Sequence, residues 1–360
     1  SGTNSGKLAL GRNAVPVTLE LSALTTSGTG TTNAVVGGSS LASTLTLNIA
    51  SGTNDYTGLI GGAGMYESNL KVVKLGVGTL MFSGNSAFSG GFVLSDGTLA
   101  LGADSTASTP SSLASPTVVS AGPLGSSDGV SSGKLEFGDG VTIRTNATNR
   151  AIANPMAFVN PAVASGFTIG GAGAGYDLTL NGTLHLGSAA RTITVADASV
   201  KGTLGGEIYG SGSLVKAGAG KLLLSASNTF SGGFTVSSGT VLIGNNAAFG
   251  LGTLTLTGGI VSSDSTTNRN LANGIAIGGS TTLGSALNSG AITFSGGGNV
   301  TANSTVTVES AVNFAGLNLL TNALTVTANA AVSIVGTVSG GGSLTKDGGS
   351  QIYLVDVDGG

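Results

Sequence analysis

The chain has 360 residues, of which 64 are glycine, 8% are charged and none is cysteine, and its formal net charge is −3. Its mean hydropathy is +0.38, whereas intrinsically disordered chains combine low hydropathy with high net charge. The lack of cysteine excludes a disulfide scaffold and cysteine-ligated metal sites. The 13 scattered lysines and arginines give no electrostatic basis for binding nucleic acid.

Taken in chain order, the sequence is organised by a repeat, which we call the cassette. Residues 5–11 resemble residues 96–102, so the chain opens in a partial cassette at residues 1–11. The first complete cassette covers residues 74–102 and aligns without a gap with a second at residues 216–244, with 14 of 29 positions identical. Residues 341–349 repeat the start of a cassette, so a further partial cassette covers residues 341–360. Such internal repeats are typical of solenoids.

The stretches between the cassettes are related more loosely. Residues 133–137 resemble residues 252–256, and the Asn-Arg element at residues 149–154 resembles that at residues 268–273. No composition change marks a domain linker. The only bias is a Ser/Thr/Pro stretch at residues 105–123, which we interpret as a longer loop leaving the array.

Short strands with period two fill most of the chain, as at residues 44–49, 253–257 and 305–308. Gly-Gly, Ser-Gly, Asp-Gly and Asn-Gly pairs separate them, and no segment has a convincing helical period. A sandwich, a closed barrel or an antiparallel meander would not explain the long-range repeat. We therefore predict an all-β, right-handed parallel β-helix (β-solenoid) with Gly-rich turns, running as a single continuous body over residues 1–360.

The Gly-Thr-Leu-Ala-Leu-Gly element of the first cassette illustrates the expected geometry. We expect Gly97 to turn the corner, Leu99 and Leu101 to face inward, and Thr98 and Ala100 to face outward. We expect Phe88 and Phe230, each beside a Ser-Gly-Gly corner, to be core residues without a binding role.

Few residues could carry chemistry, and we predict no catalytic, cofactor-binding or metal-binding residues. His185 is the only histidine, and we expect it on or near a strand surface. The closest acidic groupings are Glu136 with Asp139 and Asp356 with Asp358, for which we favour solvated turns over a site. The Gly-rich run at residues 170–175 is not followed by a predicted helix, so we interpret it as a turn and not a phosphate cradle. Thr-x-Thr runs do not recur at a fixed coil length, which disfavours an ice-binding ladder.

The two cassettes each follow the pattern KxGxGxLxLSxxNxFSGGxxVxxGTLxLG at most of its fixed positions. This pattern resembles the passenger-associated β-strand repeat of bacterial autotransporters, closely in the two cassettes and partially at both ends. The resemblance implies a secreted or surface-displayed β-helical stalk. The repeat has no catalytic residues, so the resemblance implies none here.

We therefore predict a non-enzymatic structural or adhesive stalk segment of a large secreted or cell-surface bacterial protein, located outside the cell or on its surface. The alternative is a β-helical carbohydrate-active enzyme or glycan-binding protein, which would gather carboxylates and basic residues in one groove. Because both ends fall inside a cassette, we expect neighbouring copies or further repeats to stack end to end into a fibre. Surface glycans or other cells are the further partners that we expect.

Overall fold

The computed structural model describes residues 6–27, 32–107, 109–171 and 175–355. Strands are the regular elements of these residues, and none of the described segments forms a helix of the length and hydropathy that crosses a membrane. The chain divides into two compact units. Unit 1 comprises residues 1–187 and 205–207, and unit 2 comprises residues 188–204 and 208–360. The single continuous body over residues 1–360 stays a prediction.

Unit 1 contains seventeen short strands. They are β1 (Lys7–Asn13), β2 (Thr18–Leu21), β3 (Ala34–Ser39), β4 (Ser43–Asn48), β5 (Thr53–Tyr56), β6 (Leu59–Ile60), β7 (Leu70–Leu75), β8 (Thr79–Phe82), β9 (Phe92–Leu94), β10 (Thr98–Leu101), β11 (Leu135–Phe137), β12 (Val141–Thr145), β13 (Arg150–Ile152), β14 (Met156–Phe158), β15 (Ser165–Ile169), β16 (Leu178–Leu180) and β17 (Leu184–His185).

Successive strands of unit 1 are placed on different sheets, and the chain then returns to pair with an earlier strand. The resulting strand orders are β1-β3-β6, β2-β4-β7-β9-β11-β14-β17, β5-β8-β10-β12-β15 and β13-β16. Every strand pairing described within this unit is parallel. Parallel neighbours two or three strands apart in the chain are the topology of a β-solenoid.

Unit 2 contains the remaining strands. They are β18 (Arg191–Val195), β19 (Lys201–Leu204), β20 (Ile208–Tyr209), β21 (Leu214–Ala217), β22 (Lys221–Leu224), β23 (Phe234–Val236), β24 (Thr240–Ile243), β25 (Leu254–Leu256), β26 (Ile260–Ser263), β27 (Arg269–Leu271), β28 (Ile275–Ile277), β29 (Thr281–Leu283), β30 (Ile292–Phe294), β31 (Gly298–Val300), β32 (Ser304–Val308), β33 (Val312–Phe314), β34 (Leu317–Asn318), β35 (Ala323–Ala328), β36 (Val332–Val335), β37 (Val338–Ser339), β38 (Ser343–Asp347) and β39 (Ile352–Val355).

Unit 2 follows the same parallel scheme with three long ladders. Their strand orders are β18-β21-β23-β25-β28-β31-β34-β37, β19-β22-β24-β26-β29-β32-β35-β38 and β27-β30-β33-β36-β39. Each turn from β25 onward therefore contributes one strand to each ladder. The predicted all-β parallel β-helix is confirmed.

The core of each unit consists of inward side chains stacked in register from one coil to the next. Leu99 and Leu101 are fully buried, as predicted, and so are Phe88 and Phe230. Burying a leucine or phenylalanine contributes about 1.5–3 kcal/mol relative to leaving it exposed. Aromatic side chains also stack within these columns, as in Phe294 and Phe314, whose ring centroids are 5.4 Å apart. The repeated apolar columns therefore stabilise the coils.

Ala100 is fully buried even though it is predicted to face outward, on the side of the strand away from the core. Alternation along β10 does place Ala100 on the side opposite Leu99 and Leu101. However, Ala100 lies in register with Met81 on one neighbouring strand and Arg144 on the other. These longer side chains flank the small alanine methyl group and leave it no exposed surface.

Gly97 occupies a corner where two coils approach closely, as predicted. Its φ is +69°, a conformation that side chains disfavour. A Cβ atom at this position would lie 2.5 Å from the carbonyl oxygen of Gly76 and 2.6 Å from that of Gly78. The corner therefore requires glycine both for its backbone conformation and for the space between coils.

The Ser/Thr/Pro stretch belongs to an excursion at residues 103–133 that lies outside the named strands. The excursion is a loop, as predicted, but parts of it return to pack against unit 1. The Ser105 amide donates to the carbonyl of Ala151 at 3.0 Å, and the Ser111 amide donates to that of Asn181 at 2.8 Å. In turn, the Glu207 amide donates to the Ser111 carbonyl at 2.8 Å. The backbone of Ser111 therefore bridges the backbones of Asn181 and Glu207, as a strand paired between two others does.

Candidate functional site

The candidate functional feature is the cassette itself, because it is the repeated part of the chain. The first cassette is built from β7 to β10, in which β9 stacks on β7 and β10 stacks on β8. The second is built from β21 to β24, in which β23 stacks on β21 and β24 on β22. Each cassette thus places its second half directly on its first half.

A buried lysine, Lys216, is the first residue of the second cassette. Lys216 is in register with Ile193 on one side and Val236 on the other, within an inward column. Its side chain is fully buried. The Nζ atom donates to the carbonyl oxygens of Ala217 at 2.8 Å and Gly218 at 2.9 Å, in its own turn. It also donates to the carbonyl of Ser238 at 3.1 Å, which belongs to the following coil.

The first cassette repeats this arrangement at Lys74, which is also fully buried. Its Nζ atom donates to the carbonyls of Leu75 at 2.8 Å and Gly76 at 2.5 Å. The third acceptor is the carbonyl of Asp96 at 3.2 Å, again on the following coil. We call Lys74 and Lys216, each with its three carbonyl oxygens, the buried-lysine sites.

Burial of the ammonium lowers the pKa of Lys216 and of Lys74 to about 8, and the nearby Asp96 carboxylate partly counteracts this for Lys74. The three carbonyl dipoles compensate for the water that each ammonium has lost. Because two acceptors are local and one is on the next coil, each lysine links a turn to the coil stacked on it.

The Asn-Arg elements between cassettes also make matching contacts. Arg150 forms an ion pair with Asp104 at 3.4 Å, and Arg269 forms one with Asp264 at 2.5 Å. Just before each arginine, an asparagine Oδ1 accepts a backbone N–H from the next coil, from Asp177 in the first element and from Ala291 in the second. The elements therefore connect consecutive coils.

The last asparagine of each element is buried at a corner. Asn273 Nδ2 donates to the carbonyls of Gly250 at 3.0 Å and Gly252 at 2.7 Å. Asn154 Nδ2 likewise donates to two carbonyls, those of Leu124 at 3.3 Å and Gly133 at 3.0 Å. The two acceptors lie two residues apart in the second element, whereas in the first they lie nine residues apart and both belong to the excursion. Asparagine therefore satisfies the same corner carbonyls with and without a long insertion.

The residues examined for chemistry do not converge. Glu136 lies 3.6 Å from Lys71, whereas Asp139 accepts a hydrogen bond from the Gly166 amide at 3.0 Å. His185 is a half-buried residue of β17. In residues 6–27, 32–107, 109–171 and 175–355, no group of three or more histidine or acidic side chains is placed to ligate a metal. Asp356, Asp358 and residues 172–174 of the Gly-rich run lie outside the described residues.

An open cleft of about 500 Å³ lies on the outer face of β24, β26 and β29 in unit 2. Leu242 and Ile260 contribute apolar surface to it, and residues 284–288 form a wall. Lys221 and Glu309 are its charged residues. With a single carboxylate, the cleft lacks the pair that glycoside hydrolysis requires.

Residues 72–101 and 214–243 match the passenger-associated-transport-repeat family. These two segments coincide with the strands that contain the buried-lysine sites. These two segments are thus similar to passenger-associated transport repeats. The resemblance seen in the sequence is thereby confirmed.

A curated relative supports the same relationship over a limited part of the chain. The sequence is 39% identical over 99 residues to the Adhesin BmaC autotransporter of Brucella suis biovar 1 (strain 1330), covering 26% of this chain. The match spans about 3% of the length of that relative. No solved structure matches the chain.

Sequence reasoning identified the passenger-associated transport repeat but not the role of its lysine. The available signal was the position of Lys74 and Lys216 two residues after an inward apolar residue on the same strand, Val72 and Leu214 respectively. A lysine at such a position faces the core and needs buried acceptors. The cleft had no comparable signal, because its lining residues come from five separate coils.

Proposed function

We propose that this chain is a non-enzymatic structural or adhesive stalk segment of a large bacterial surface or secreted protein. The observation that carries the proposal is the cassette, whose passenger-repeat sequence corresponds to a two-coil unit linked by a buried lysine. The adhesin relative supports an adhesive context, and the passenger repeats support a location outside the cell or on its surface.

Scattered charge further supports a stalk over an enzyme. Four ion pairs among the described residues are each formed by one basic and one acidic side chain, and they lie at separate places within their units. General acid–base catalysis needs titratable groups within hydrogen-bond reach of one reacting atom. The described residues provide stacked parallel strands and corners whose carbonyl oxygens accept hydrogen bonds. Such a structure is suited to the spacing and presenting role of a stalk.

Display on a bacterial surface tests this proposal. The chain, fused ahead of a translocating domain, is expected to bind antibody on intact cells and to increase their adherence to host cells or matrix proteins. The matched control is the same fusion carrying Lys216→Met, which we expect to disrupt the second cassette. Antibody binding without increased adherence would contradict the adhesive role and leave only that of a spacer. Release of reducing ends from a polysaccharide panel would overturn the non-enzymatic proposal.

The cleft favours glycan binding as the second candidate. Its volume is in the range of small-ligand sites, and it combines apolar surface with the hydroxyl groups of Thr240, Ser262 and Thr282. A glycan array compares the wild-type chain with Lys221→Ala, and with Lys134→Ala, which belongs to unit 1 and does not line the cleft. Signal that is lost only in Lys221→Ala would establish this function, and no signal in any of the three chains would exclude it.

A further inference from the structure

The cleft of unit 2 is long, and its two charged residues lie at its opposite ends. Lys221 is on β22, and Glu309 directly follows β32. Three strands of the same ladder, β24, β26 and β29, lie between β22 and β32. Neighbouring strands of a sheet are about 4.8 Å apart, so four such spacings separate the two residues by about 19 Å along the ladder. A ligand that contacts both residues must therefore extend across the strands, in the direction in which the coils stack.

A neutral floor connects the two ends of the cleft. Outward side chains of successive strands form it as a column in register that begins at Lys221 and continues through Thr240, Ile260 and Thr282. Each threonine hydroxyl can donate and accept a hydrogen bond, whereas Ile260 and Leu242 add apolar surface. The lining residues between the two charged ends are all uncharged. The floor thus offers hydroxyl groups and aliphatic carbons to a ligand.

The floor is not suited to an extended peptide that would bind as an added strand. Each of β24, β26 and β29 already has a parallel neighbour on both sides, so the ladder uses its backbone N–H and C=O groups. Strand addition needs an exposed sheet edge instead. The hydroxyl groups and aliphatic carbons of the floor match a sugar chain, whose rings carry hydroxyl groups at their edges and C–H groups on their faces.

Lys221 makes one end of the cleft positive, and Glu309 makes the other end negative. The Lys221 side chain is exposed, and among the described residues it forms no ion pair. Glu309 Oε1 accepts a hydrogen bond from Asn329 Nδ2 at 2.8 Å, and this neutral amide does not cancel the charge of the carboxylate. An anionic group of a ligand is therefore attracted to the Lys221 end and repelled from the Glu309 end.

We propose that the cleft binds a linear glycan that lies along the direction of coil stacking, with an acidic terminal sugar at Lys221 and neutral sugars toward Glu309. The proposal rests on glycan binding by the cleft, the second candidate function. A carboxylate or a sulfate can supply the anionic group, because a lysine ammonium acts as a point charge. A glycan that is acidic along its whole length brings negative charge to Glu309 and binds less well.

Titration calorimetry of the full chain tests the positive end of the cleft. The probe is a tetrasaccharide of N-acetyllactosamine repeats in three forms, which carry a terminal sialic acid, a terminal sulfate or neither. We expect the better acidic form to bind about tenfold more tightly than the neutral form, as one charge-assisted hydrogen bond would give. Lys221→Gln should remove this difference. Lys346→Gln is the matched control and should keep it, because Lys346 belongs to unit 2, donates to the carbonyls of Asp347 and Gly348, and does not line the cleft.

Hyaluronan oligosaccharides, which are acidic at every second sugar, test the negative end. They should bind the wild-type chain more weakly than the better acidic probe does. Glu309→Gln should improve the binding of hyaluronan severalfold, and more than that of the terminally acidic probe. Glutamine keeps an oxygen that can accept the Asn329 hydrogen bond, so this variant should retain the local structure.

The outcomes separate glycan binding from the proposed orientation of the glycan. A chain that binds none of these probes and gives no signal on a glycan array would overturn glycan binding by the cleft itself. Binding that is lost in Lys221→Ala but is equal for the acidic and neutral probes would leave glycan binding in place and overturn the acidic end alone. Equal gains for hyaluronan and the terminally acidic probe in Glu309→Gln would overturn the orientation. Selective binding of the sialylated or the sulfated form would support the proposal and identify the anionic group.

Discussion

Replacing the buried ammonium of Lys216 by an apolar side chain of similar length tests the role of the cassette lysine. Lys216→Met leaves three carbonyl oxygens without their lysine donor, at about 1–3 kcal/mol for each unsatisfied buried group. Relief of the burial cost offsets part of this loss. A pKa lowered from 10.5 to about 8 corresponds to roughly 3 kcal/mol at about 1.36 kcal/mol per pH unit. We expect a net destabilisation of about 3 kcal/mol.

The assay must report local opening, since solenoids unfold in parts. Hydrogen exchange measured by mass spectrometry is suitable, because the amides of Ser237 and Phe234 bridge neighbouring coils. A loss of about 3 kcal/mol would accelerate exchange in residues 214–244 by roughly a hundredfold. Lys346→Met provides the matched control in the same chain, because Lys346 is exposed and its carbonyls can bind water. We expect it to change stability by less than about 0.5 kcal/mol.

Equal exchange in Lys216→Met and Lys346→Met would refute this reasoning. It would mean that the apolar methionine compensates fully for the three carbonyl bonds. Slower exchange in Lys216→Met than in the wild-type chain would show that burial of the charge is the larger effect and that the lysine is retained at a cost to stability.

Further predictions concern pH, corners and the core. Because burial lowers the Lys216 pKa to about 8, the unfolded chain binds more protons between this pH and 10.5, so the free energy of unfolding should rise across that window. A urea midpoint that falls over the same pH range would contradict this expectation. In Lys216→Met the free energy of unfolding should rise less across the window. Gly239→Ala should destabilise the fold more than Gly52→Ala. Both glycines have a φ of +70°, but only at Gly239 would a Cβ lie 2.2 Å from a carbonyl oxygen. Equal decreases in melting temperature for the two variants would disprove the steric argument. Asn273→Ala should lower the free energy of unfolding by about 1–3 kcal/mol and speed hydrogen exchange of the corner amides. Unchanged exchange at the corner would show that water replaces the Asn273 side-chain amide. Phe294→Ala should cost about 3–5 kcal/mol in urea denaturation, and a cost near zero would show that its column does not support the fold.

The fold was predictable because period-two alternation indicates strands, and the long-range cassette repeat favours stacking them as parallel coils. Leu99 and Leu101 illustrate the success, since alternation alone assigns them to the core. Ala100 illustrates the limit, because its burial depends on Met81 and Arg144, which only the register brings beside it. Register between coils is a property of turn lengths summed along the chain, and the sequence pattern does not specify it.

Charge was harder to interpret than apolar periodicity. Two like charges stand on neighbouring coils at Lys201 and Lys221, which are in register on β19 and β22. The buried-lysine sites show the opposite situation, in which a cation is accommodated because turn carbonyls surround it. Neither arrangement follows from residue type, since both depend on the backbone geometry of a neighbouring coil.

The excursion at residues 103–133 has a consequence for how proteases act on the chain. It is the longest segment between two successive strands, and such loops are the usual points of proteolytic attack. Its sequence nevertheless contains no lysine, arginine, phenylalanine or tyrosine, and it has three prolines. Digestive enzymes that cut after basic or aromatic residues therefore find no preferred bond in it. Basic residues that would invite cleavage elsewhere include Lys74, Lys216 and Arg191, all fully buried. The excursion is thus expected to resist these enzymes because of the residues that its sequence omits.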